Sequence, residues 1–141
     1  FTEGKFHELI EDKDIKDTSK VKRLILCTGK IFYELLAERR ERKTEDISIV
    51  RVEQLHPFSL IEFNELLINY PKDLEIVWVQ EEPFNMGAAQ FMKQHLGNCN
   101  LRIISRPASG VTAEGLTALH KINQAKIIAK AFRLNPLHTF K

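Results

Sequence analysis

Short apolar runs and segments of helically spaced apolar residues alternate along this chain. Four runs rich in β-branched residues predict strands, over residues 21–27, 47–52, 74–79 and 101–105. After each run, apolar residues recur at helical spacing and predict helices, following residue 30 and over residues 59–70, 87–96 and 118–132. This β-α-β-α-β-α-β-α order predicts an α/β fold in three layers, with helices on both faces of a mainly parallel sheet joined by right-handed crossovers.

The first residues of the chain differ from the rest in pattern. Residues 1–20 show little periodicity and many charges, which predicts a solvated connector in which Phe6, Leu9 and Ile10 could form a short edge strand. By length, residues 21–141 form a single α/β domain. The chain opens without Met, and we expect it to be a piece of a longer protein.

Two of the predicted helices carry signals for their ends and their buried faces. Ser59 is a candidate N-cap for the second helix, with Glu62 at the position of a capping box, and Pro71 ends that helix. Helical spacing assigns its buried face to Ile61, Leu66, Leu67 and Tyr70. In the last helix the same reasoning assigns one apolar stripe to Leu119, Ile122, Ile127 or Ile128, and Phe132.

Polar side chains follow the predicted strands, where parallel strands share one edge and open α/β sheets bind ligands. The stretch over residues 76–87 is the clearest case: an apolar strand runs into Gln80, Glu81 and Glu82, Pro83 is expected to stop it, and Asn85 and Gly87 turn the chain. Candidate contact residues at this edge, for an interface or an effector, are Lys30, Glu53, His56, Gln80, Glu81, Glu82, Asn85 and Arg106.

Two interpretations of this edge are open from the residues alone. Glu81, Glu82 and His56 could form an acid–base site, but no activated nucleophile, metal-ligand spacing or glycine-rich cofactor loop accompanies them. Paired carboxylates beside basic groups also set the register of protein interfaces, and we favour a recognition edge. His56 precedes a proline, which favours a hydrogen-bonding loop histidine over a catalytic one. Lys30 follows a lone glycine, and a tight turn there is favoured over an anion site.

Composition and charge narrow the classes of function. Apolar residues make up 43% of the chain and charged residues 28%, which suits a globular domain with a real core. With 21 basic and 19 acidic residues the net charge is +2, so no nucleic-acid footprint is expected. No apolar run approaches the roughly 18 residues of a membrane span, and no signal-peptide pattern is present. Two cysteines without metal-ligand spacing suggest a reducing compartment.

Several separated motifs together resemble one known family. They are FTEGKF at residues 1–6, VKRLILCTGKIFYEL at residues 21–35, IVRVEQLHPF at residues 49–58, WVQEEPFNMGA at residues 78–88 and SRPAS at residues 105–109. In order and over nearly the whole chain, they resemble the C-terminal domain of the thiamine-diphosphate-dependent component of 2-oxoglutarate dehydrogenase. One residue, Met86, and one segment, residues 110–115, depart from that pattern.

The resemblance implies a transketolase-like C-terminal domain in an enzyme of the citric acid cycle. That enzyme decarboxylates 2-oxoglutarate on thiamine diphosphate with Mg²⁺, passes the succinyl group to a lipoyl-bearing succinyltransferase partner, and forms a homodimer in the bacterial cytoplasm or the mitochondrial matrix. The family's cofactor and metal ligands lie in other domains of the same chain, so these 141 residues are expected to be non-catalytic and to hold no cofactor.

The resemblance implies that this domain supports assembly of the dimer. Two alternatives to that role stay open. One is a regulatory module in which Lys30, Arg106 and helix N-termini bind a nucleotide or acyl-CoA effector. The other is the same domain in a paralogue acting on 2-oxoadipate, because the substrate contacts would lie elsewhere.

Overall fold

The computed structural model describes residues 7–110 and 115–134. Expectations for Phe6 and for residues 111–114 lie outside the described residues. Nine helices and strands make up the described part, together with short 3₁₀ turns at Thr18–Lys20 and Gly97–Cys99. In chain order they are β1 (Leu9–Ile10), β2 (Arg23–Cys27), α1 (Ile31–Arg42), β3 (Ile47–Val52), α2 (Leu60–Leu67), β4 (Glu75–Pro83), α3 (Ala89–Leu96), β5 (Arg102–Arg106) and α4 (Thr117–Phe132).

The strands form one five-stranded sheet in the order β1-β3-β2-β4-β5. All neighbours from β3 to β5 run parallel, and only β1 is antiparallel, with Leu9 opposite Val52. Parallel neighbours require crossovers, which α1, α2 and α3 supply, whereas α4 follows the last strand. The predicted mainly parallel sheet and the short edge strand at Leu9 and Ile10 are both confirmed.

Two hydrophobic cores, one on each face of the sheet, confirm the three-layer arrangement. On one face α2 and α3 bury Phe63, Leu66 and Met92 against the sheet around Trp78. On the other face α1 and α4 bury a second cluster that includes Ile31, Leu35, Ile127, Ala131 and Phe132. The strands are buried on both sides, which explains why they appear in the sequence as continuous apolar runs rather than alternating ones.

Strand β4 is longer than the sequence predicts. The strand was expected to end at residue 79, yet β4 continues through Gln80, Glu81 and Glu82; it ends at Pro83, the residue expected to stop it. The pairing with β5 shifts register between Val79 and Pro83, so the proline's missing N–H falls where the ladder is already irregular. The strand end therefore belongs to the sheet and is not a loop.

Two predicted buried faces are partly wrong. In α2, Ile61 is 75% exposed and Phe63 occupies the core in its place. In α4, Leu119 and Ile122 are exposed, because the helix packs on the sheet only through its C-terminal half, around Ile127. The Ser59 cap is confirmed, since its hydroxyl accepts a hydrogen bond from the Glu62 N–H at 3.2 Å.

A buried arginine ties the start of β2 to the end of α4. Arg23 is fully buried and donates from Nε and Nη2 to one carboxylate oxygen of Glu75, at 2.8 and 2.7 Å. Its remaining terminal nitrogen donates to the carbonyl of Ala131 at 2.7 Å, beside that of Lys130 at 3.3 Å. The cation lies at the carboxyl end of α4, where the helix dipole favours positive charge.

The connector before β2 is held down by a second buried arginine. Arg39 of α1 pairs with Asp12 and donates to Asp14 at 3.1 Å, and Asp12 also accepts from the Ile49 N–H at 2.8 Å. Burial lowers the pKa of Arg39. Asp12 is therefore part of the packed domain and not only a solvated position.

Among residues 7–110 and 115–134, no helix has the length and apolar character that crossing a membrane would need.

Candidate functional site

A cavity of about 380 Å³ opens at the carboxyl ends of the central strands. It brings together four of the residues predicted from the strand ends, His56, Gln80, Glu81 and Glu82. The rest of its wall is largely apolar and comes from the strands, from the loop after β3 and from the start of α3, with the residues Thr28, Ile31, Leu55, Trp78, Gly87, Ala88 and Phe91. This is the edge where α/β sheets of this kind present their contact residues.

Gln80 uses its side-chain amide inside the domain. Its oxygen accepts from the Trp78 indole N–H at 2.9 Å, and its nitrogen donates to the carbonyls of Pro83 and Met86 at 3.0 and 2.8 Å. The side chain is 3% exposed, so these bonds satisfy polar groups that water does not reach. Gln80 therefore holds the turn between β4 and α3 in place and is not available to a ligand.

Gly87 completes this turn, and a side chain at its position would be strained and crowded. Its φ of +62° lies in the left-handed region, and a Cβ there would come within 3.2 Å of both Gln80 Oε1 and Glu82 Oε2. The sequence predicted this turn from Asn85 and Gly87. The turn itself sets where the Glu82 carboxylate stands relative to the cavity.

Glu81 is anchored from three other segments. Its carboxylate lies 3.6 Å from the Lys30 ammonium and accepts a hydrogen bond from Gln124 of α4 at 2.8 Å. Its backbone carbonyl accepts from Arg106 Nε at 2.8 Å. Gln124 also donates to Glu34 of α1 at 3.1 Å. A carboxylate paired in this way is held in place, which suits a structural tie between β4, α1 and α4 better than proton transfer.

Sequence reasoning missed Gln124, which completes this tie. It lies 43 residues beyond Glu81, in the exposed first half of α4. No motif marks it, because a glutamine on a helix surface is ordinary. Only the packing of α4 over the sheet shows the role of Gln124.

Glu82 and His56 are the polar groups left at the rim of the cavity. Both residues are exposed. The His56 ring stands edge-on to Phe91 with the ring centroids 6.3 Å apart, and the peptide bond to Pro57 is cis. The rim thus presents one carboxylate, one imidazole and an aromatic face to whatever lies outside the domain.

Three other predicted residues lie away from this cavity. Glu53 pairs with Arg51 of its own strand region, and its N–H donates to the Glu8 carbonyl at 2.8 Å. Asn85 exchanges two hydrogen bonds with Ser109, at 2.9 and 3.0 Å, and so joins the β4–α3 turn to the loop after β5. Arg106 reaches Glu81 from β5 but lines a separate groove. The shared strand edge is therefore longer than the cavity.

The residues of the cavity do not fit a diphosphate and its metal ion. The lining carries two carboxylates and no lysine or arginine, and the one nearby ammonium, that of Lys30, lies against Glu81. Over the described ranges 7–110 and 115–134, no group of three or more His, Cys, Asp or Glu side chains is arranged to hold a metal ion. Burial also raises the pKa of the Cys27 thiol to about 12, so that thiol is not an activated nucleophile at neutral pH.

Comparison with known proteins gives a consistent result. Residues 1–132 match the family described as 2-oxoglutarate dehydrogenase C-terminal. The 2-oxoglutarate dehydrogenase E1/E2 component of Corynebacterium glutamicum is 37% identical over 138 residues, which is 94% of this chain and 11% of the relative. The 2-oxoglutarate dehydrogenase E1 component of Azotobacter vinelandii is 38% identical over 137 residues, covering 92% of this chain and 14% of the relative.

The fold has a counterpart among solved structures. A chain of a split-gene transketolase, in an inactive β4 tetramer, superposes with a TM-score of 0.56 over 80% of this chain and 37% of that one. At 14% sequence identity the likeness concerns the fold alone, and it confirms the transketolase-like arrangement expected from the sequence. The chain spans between 11% and 15% of the length of its curated relatives. By the match over nearly all of its length, this chain belongs to the 2-oxoglutarate dehydrogenase C-terminal family.

Proposed function

We propose that this chain is the non-catalytic assembly domain of a thiamine-diphosphate-dependent 2-oxoglutarate dehydrogenase, whose carboxyl strand edge packs against a neighbouring domain or subunit. The longer protein would decarboxylate 2-oxoglutarate oxidatively and pass the succinyl group to a lipoyl-bearing succinyltransferase partner. Thiamine diphosphate and Mg²⁺ would be held by its other domains. We further propose a homodimer located in the cytoplasm, or in the mitochondrial matrix of a eukaryote; the bacterial relatives support the first location.

One observation carries the assembly role, namely that two central polar groups of the strand edge, those of Gln80 and Glu81, are already bonded within the domain. The Gln80 amide is bonded to the turn, and the Glu81 carboxylate is bonded to Lys30 and Gln124. An acid–base pair needs a group free to exchange a proton with substrate, whereas these groups hold the edge rigid. A rigid edge with an exposed carboxylate and an aromatic rim is suited to hold a fixed register against a neighbour.

The test of this role is charge reversal at the exposed rim, Glu82→Lys, in the full-length enzyme. We expect the dimer dissociation constant to rise, or turnover of 2-oxoglutarate to fall, by on the order of tenfold, because a contacting charge is reversed. Thiamine diphosphate affinity should not change. The matched control is Glu65→Lys on the exposed surface of α2, which makes the same charge change away from the edge. Unchanged association together with unchanged turnover in Glu82→Lys would contradict the proposal.

A second measurement addresses the absence of catalysis in this domain. Isothermal titration of the 141-residue chain with thiamine diphosphate and Mg²⁺ should give no binding heat. The cavity is lined by two carboxylates and no lysine or arginine side chain, so it would repel a diphosphate. Binding at micromolar concentration would show that the domain takes part in cofactor binding. The full-length enzyme, titrated in parallel, shows that the cofactor preparation is competent.

The regulatory alternative has weaker support at the strand edge. Lys30 and Arg106 were its candidate anion ligands, and they contact opposite parts of Glu81, its carboxylate and its carbonyl. A nucleotide or acyl-CoA would have to compete with that carboxylate for Lys30. A thermal-shift screen with adenine nucleotides and CoA esters tests the alternative, because a ligand bound only by the folded state raises Tm. A 2-oxoadipate substrate would leave every contact described here unchanged.

A further inference from the structure

Strand β5 is an edge of the sheet. Within the described residues it pairs with β4 alone, and no strand lies on its outer side. An edge strand presents a row of backbone N–H and C=O groups that can pair with one more strand. At the opposite edge of the sheet, the short antiparallel strand β1 pairs with β3. Only the β5 edge therefore ends in a strand that belongs to the parallel part of the sheet.

A groove of about 610 Å³ runs along this open edge, and every charged residue in its lining is basic. Two come from the strand and two from the end of α4, and the apolar floor includes Phe84, Ile103 and Leu134. The basic residues are Arg102, Arg106, Lys130 and Arg133.

The basic residues face one side of the sheet. Ile104 packs in the same core as Ile127 and Ile128 of α4, so its alternate neighbours Arg102 and Arg106 project towards the α4 face too. Lys130 at the end of α4 is exposed on that side. Arg102 and Arg106 are four positions apart, which places them about 13 Å apart along the strand. Charges of one sign are therefore arranged at strand spacing.

The carboxylate of Glu75 lies beside the groove and already accepts hydrogen bonds from two arginines. Glu75 accepts from the buried Arg23 at 2.7 Å and from Arg102 at 3.3 Å. Glu75 is therefore shared between the buried Arg23 and Arg102, whereas Lys130 and Arg133 add exposed positive charge at the same edge. Desolvating that charge without an anionic partner would be costly, whereas an anionic partner would gain from it.

We propose that this edge and groove bind an extended acidic segment of a partner polypeptide, which adds a sixth strand beside β5. Main-chain hydrogen bonds to the edge would supply affinity. Acidic side chains at every second position would lie on the α4 face, opposite Arg102, Lys130 and Arg133, and would supply specificity. The apolar residues between them would cover Ile103 on the other face.

Neither the β5 edge of a second copy nor the segments outside the described residues have the complementary charge. Two β5 edges paired with each other would bring one set of arginines against the other, and like charges opposite each other destabilise a sheet. Residues 135–141 contain no acidic residue, and residues 1–6 and 111–114 contain one each, Glu3 and Glu114. The proposed acidic strand is therefore neither a second β5 nor one of these segments.

The experiment measures the binding of a short fluorescent peptide of alternating Glu and Val to the complete polypeptide that carries this domain. Fluorescence anisotropy at low salt should show saturable binding that weakens as salt is added. The same peptide with Gln in place of Glu should bind on the order of tenfold more weakly, since it lacks the charge. A peptide N-methylated at alternate backbone nitrogens should also lose binding, because it cannot pair with an edge strand.

Paired variants locate the site on the protein. Lys130→Glu with Arg133→Glu should weaken the Glu peptide on the order of tenfold or more. Lys121→Glu with Lys126→Glu makes the same charge change elsewhere on α4 and should leave binding nearly unchanged. Circular dichroism checks folding, and Lys130→Gln with Arg133→Gln replaces the first pair if it fails to fold.

Several outcomes would overturn the proposal. They are no binding by the complete polypeptide, equal loss in the two variant pairs, or full binding of the N-methylated peptide, which would mean charge attraction without strand pairing. If the groove binds a nucleotide and does not bind the peptide, it is a site for small phosphorylated ligands, and the proposal is also overturned. Binding that needs Glu side chains, free backbone N–H groups and Lys130 with Arg133 supports it.

Discussion

Replacing Glu75 by alanine tests how much the buried arginine network contributes to stability. Arg23 is fully buried, whereas the side chain of Glu75 is 12% exposed. The substitution Glu75→Ala removes the acceptor of two Arg23 hydrogen bonds, at 2.8 and 2.7 Å, and leaves only the carbonyls at the end of α4. The guanidinium then carries a buried charge without a counter-charge.

The expected cost follows from that burial. Removing one partner of a buried ion pair costs about 3–5 kcal/mol, because the remaining charge is desolvated and unpaired. The matched control is the exposed pair of Arg42 with Glu38, four residues apart on α1 with its oxygen and nitrogen 2.6 Å apart. The substitution Glu38→Ala should cost about 0.3–0.5 kcal/mol, the usual value for an exposed helix pair. The two carboxylates thus differ several-fold in effect despite similar distances.

Urea unfolding followed by circular dichroism measures both variants, since a small domain that unfolds in two states gives a free energy by linear extrapolation. The double substitution Arg23→Met with Glu75→Leu should recover most of the loss, because an apolar pair of similar volume carries no desolvation cost. A cost below about 1 kcal/mol for Glu75→Ala would refute the reasoning, since that is the range of an exposed pair. So would a double variant as unstable as the single one.

Three further predictions concern the β4–α3 turn and the cysteines. Gly87→Ala should destabilise by about 1–3 kcal/mol through its left-handed backbone and its contact with Gln80, as measured by urea unfolding. Gln80→Ala should cost about 1–3 kcal/mol and alter near-ultraviolet dichroism, because the indole N–H of Trp78 loses its buried acceptor. Disulfide reagents at pH 8 should label Cys99 in the native protein but Cys27 only after unfolding, since burial raises the pKa of the Cys27 thiol to about 12.

Controls for these predictions are present in the same chain. Gly97→Ala changes a glycine with negative φ and nothing within 4 Å of its would-be Cβ, and should be neutral or slightly stabilising. Gln90→Ala removes an exposed glutamine of α3 and should have little effect. For Cys27 the raised pKa has a second consequence: the native state resists losing the proton, so stability should fall as pH rises from 9.0 towards about 12. Fast native labelling of Cys27 would contradict its assignment as buried and protonated.

The fold could be predicted from the sequence because its strands are buried on both faces. Residues 47–52 appear as one apolar run and form β3 over those residues. The Ser59 cap was predictable for a different reason, since it depends only on local backbone geometry. The buried face of the same helix was not, because a helix of eight residues offers two plausible apolar stripes. Where the sheet lies decides that Phe63 and not Ile61 is buried.

The candidate site was predictable in its location but not in its bonding. Parallel strands bring Lys30, His56 and Glu81 to one edge whatever their side chains do. That Glu81 is held by Gln124 depends on where α4 crosses the sheet, 43 residues later. The use of Gln80 within its own turn depends on a bulge that extends β4 to Pro83. Long-range packing of this kind leaves no local pattern.

The bonds from Arg23 to the end of α4 also bear on how the chain folds during synthesis. Arg23 and Ala131 are 108 residues apart, so the strand leaves the ribosome long before the helix that completes its hydrogen bonds. Until α4 docks, the hydrophobic face of the sheet around Ile25 and Val77 would be covered only by α1 and would remain partly exposed. We therefore expect nascent chains arrested before α4 to be cut readily by protease. Resistance should be gained in a single step once residue 132 has emerged.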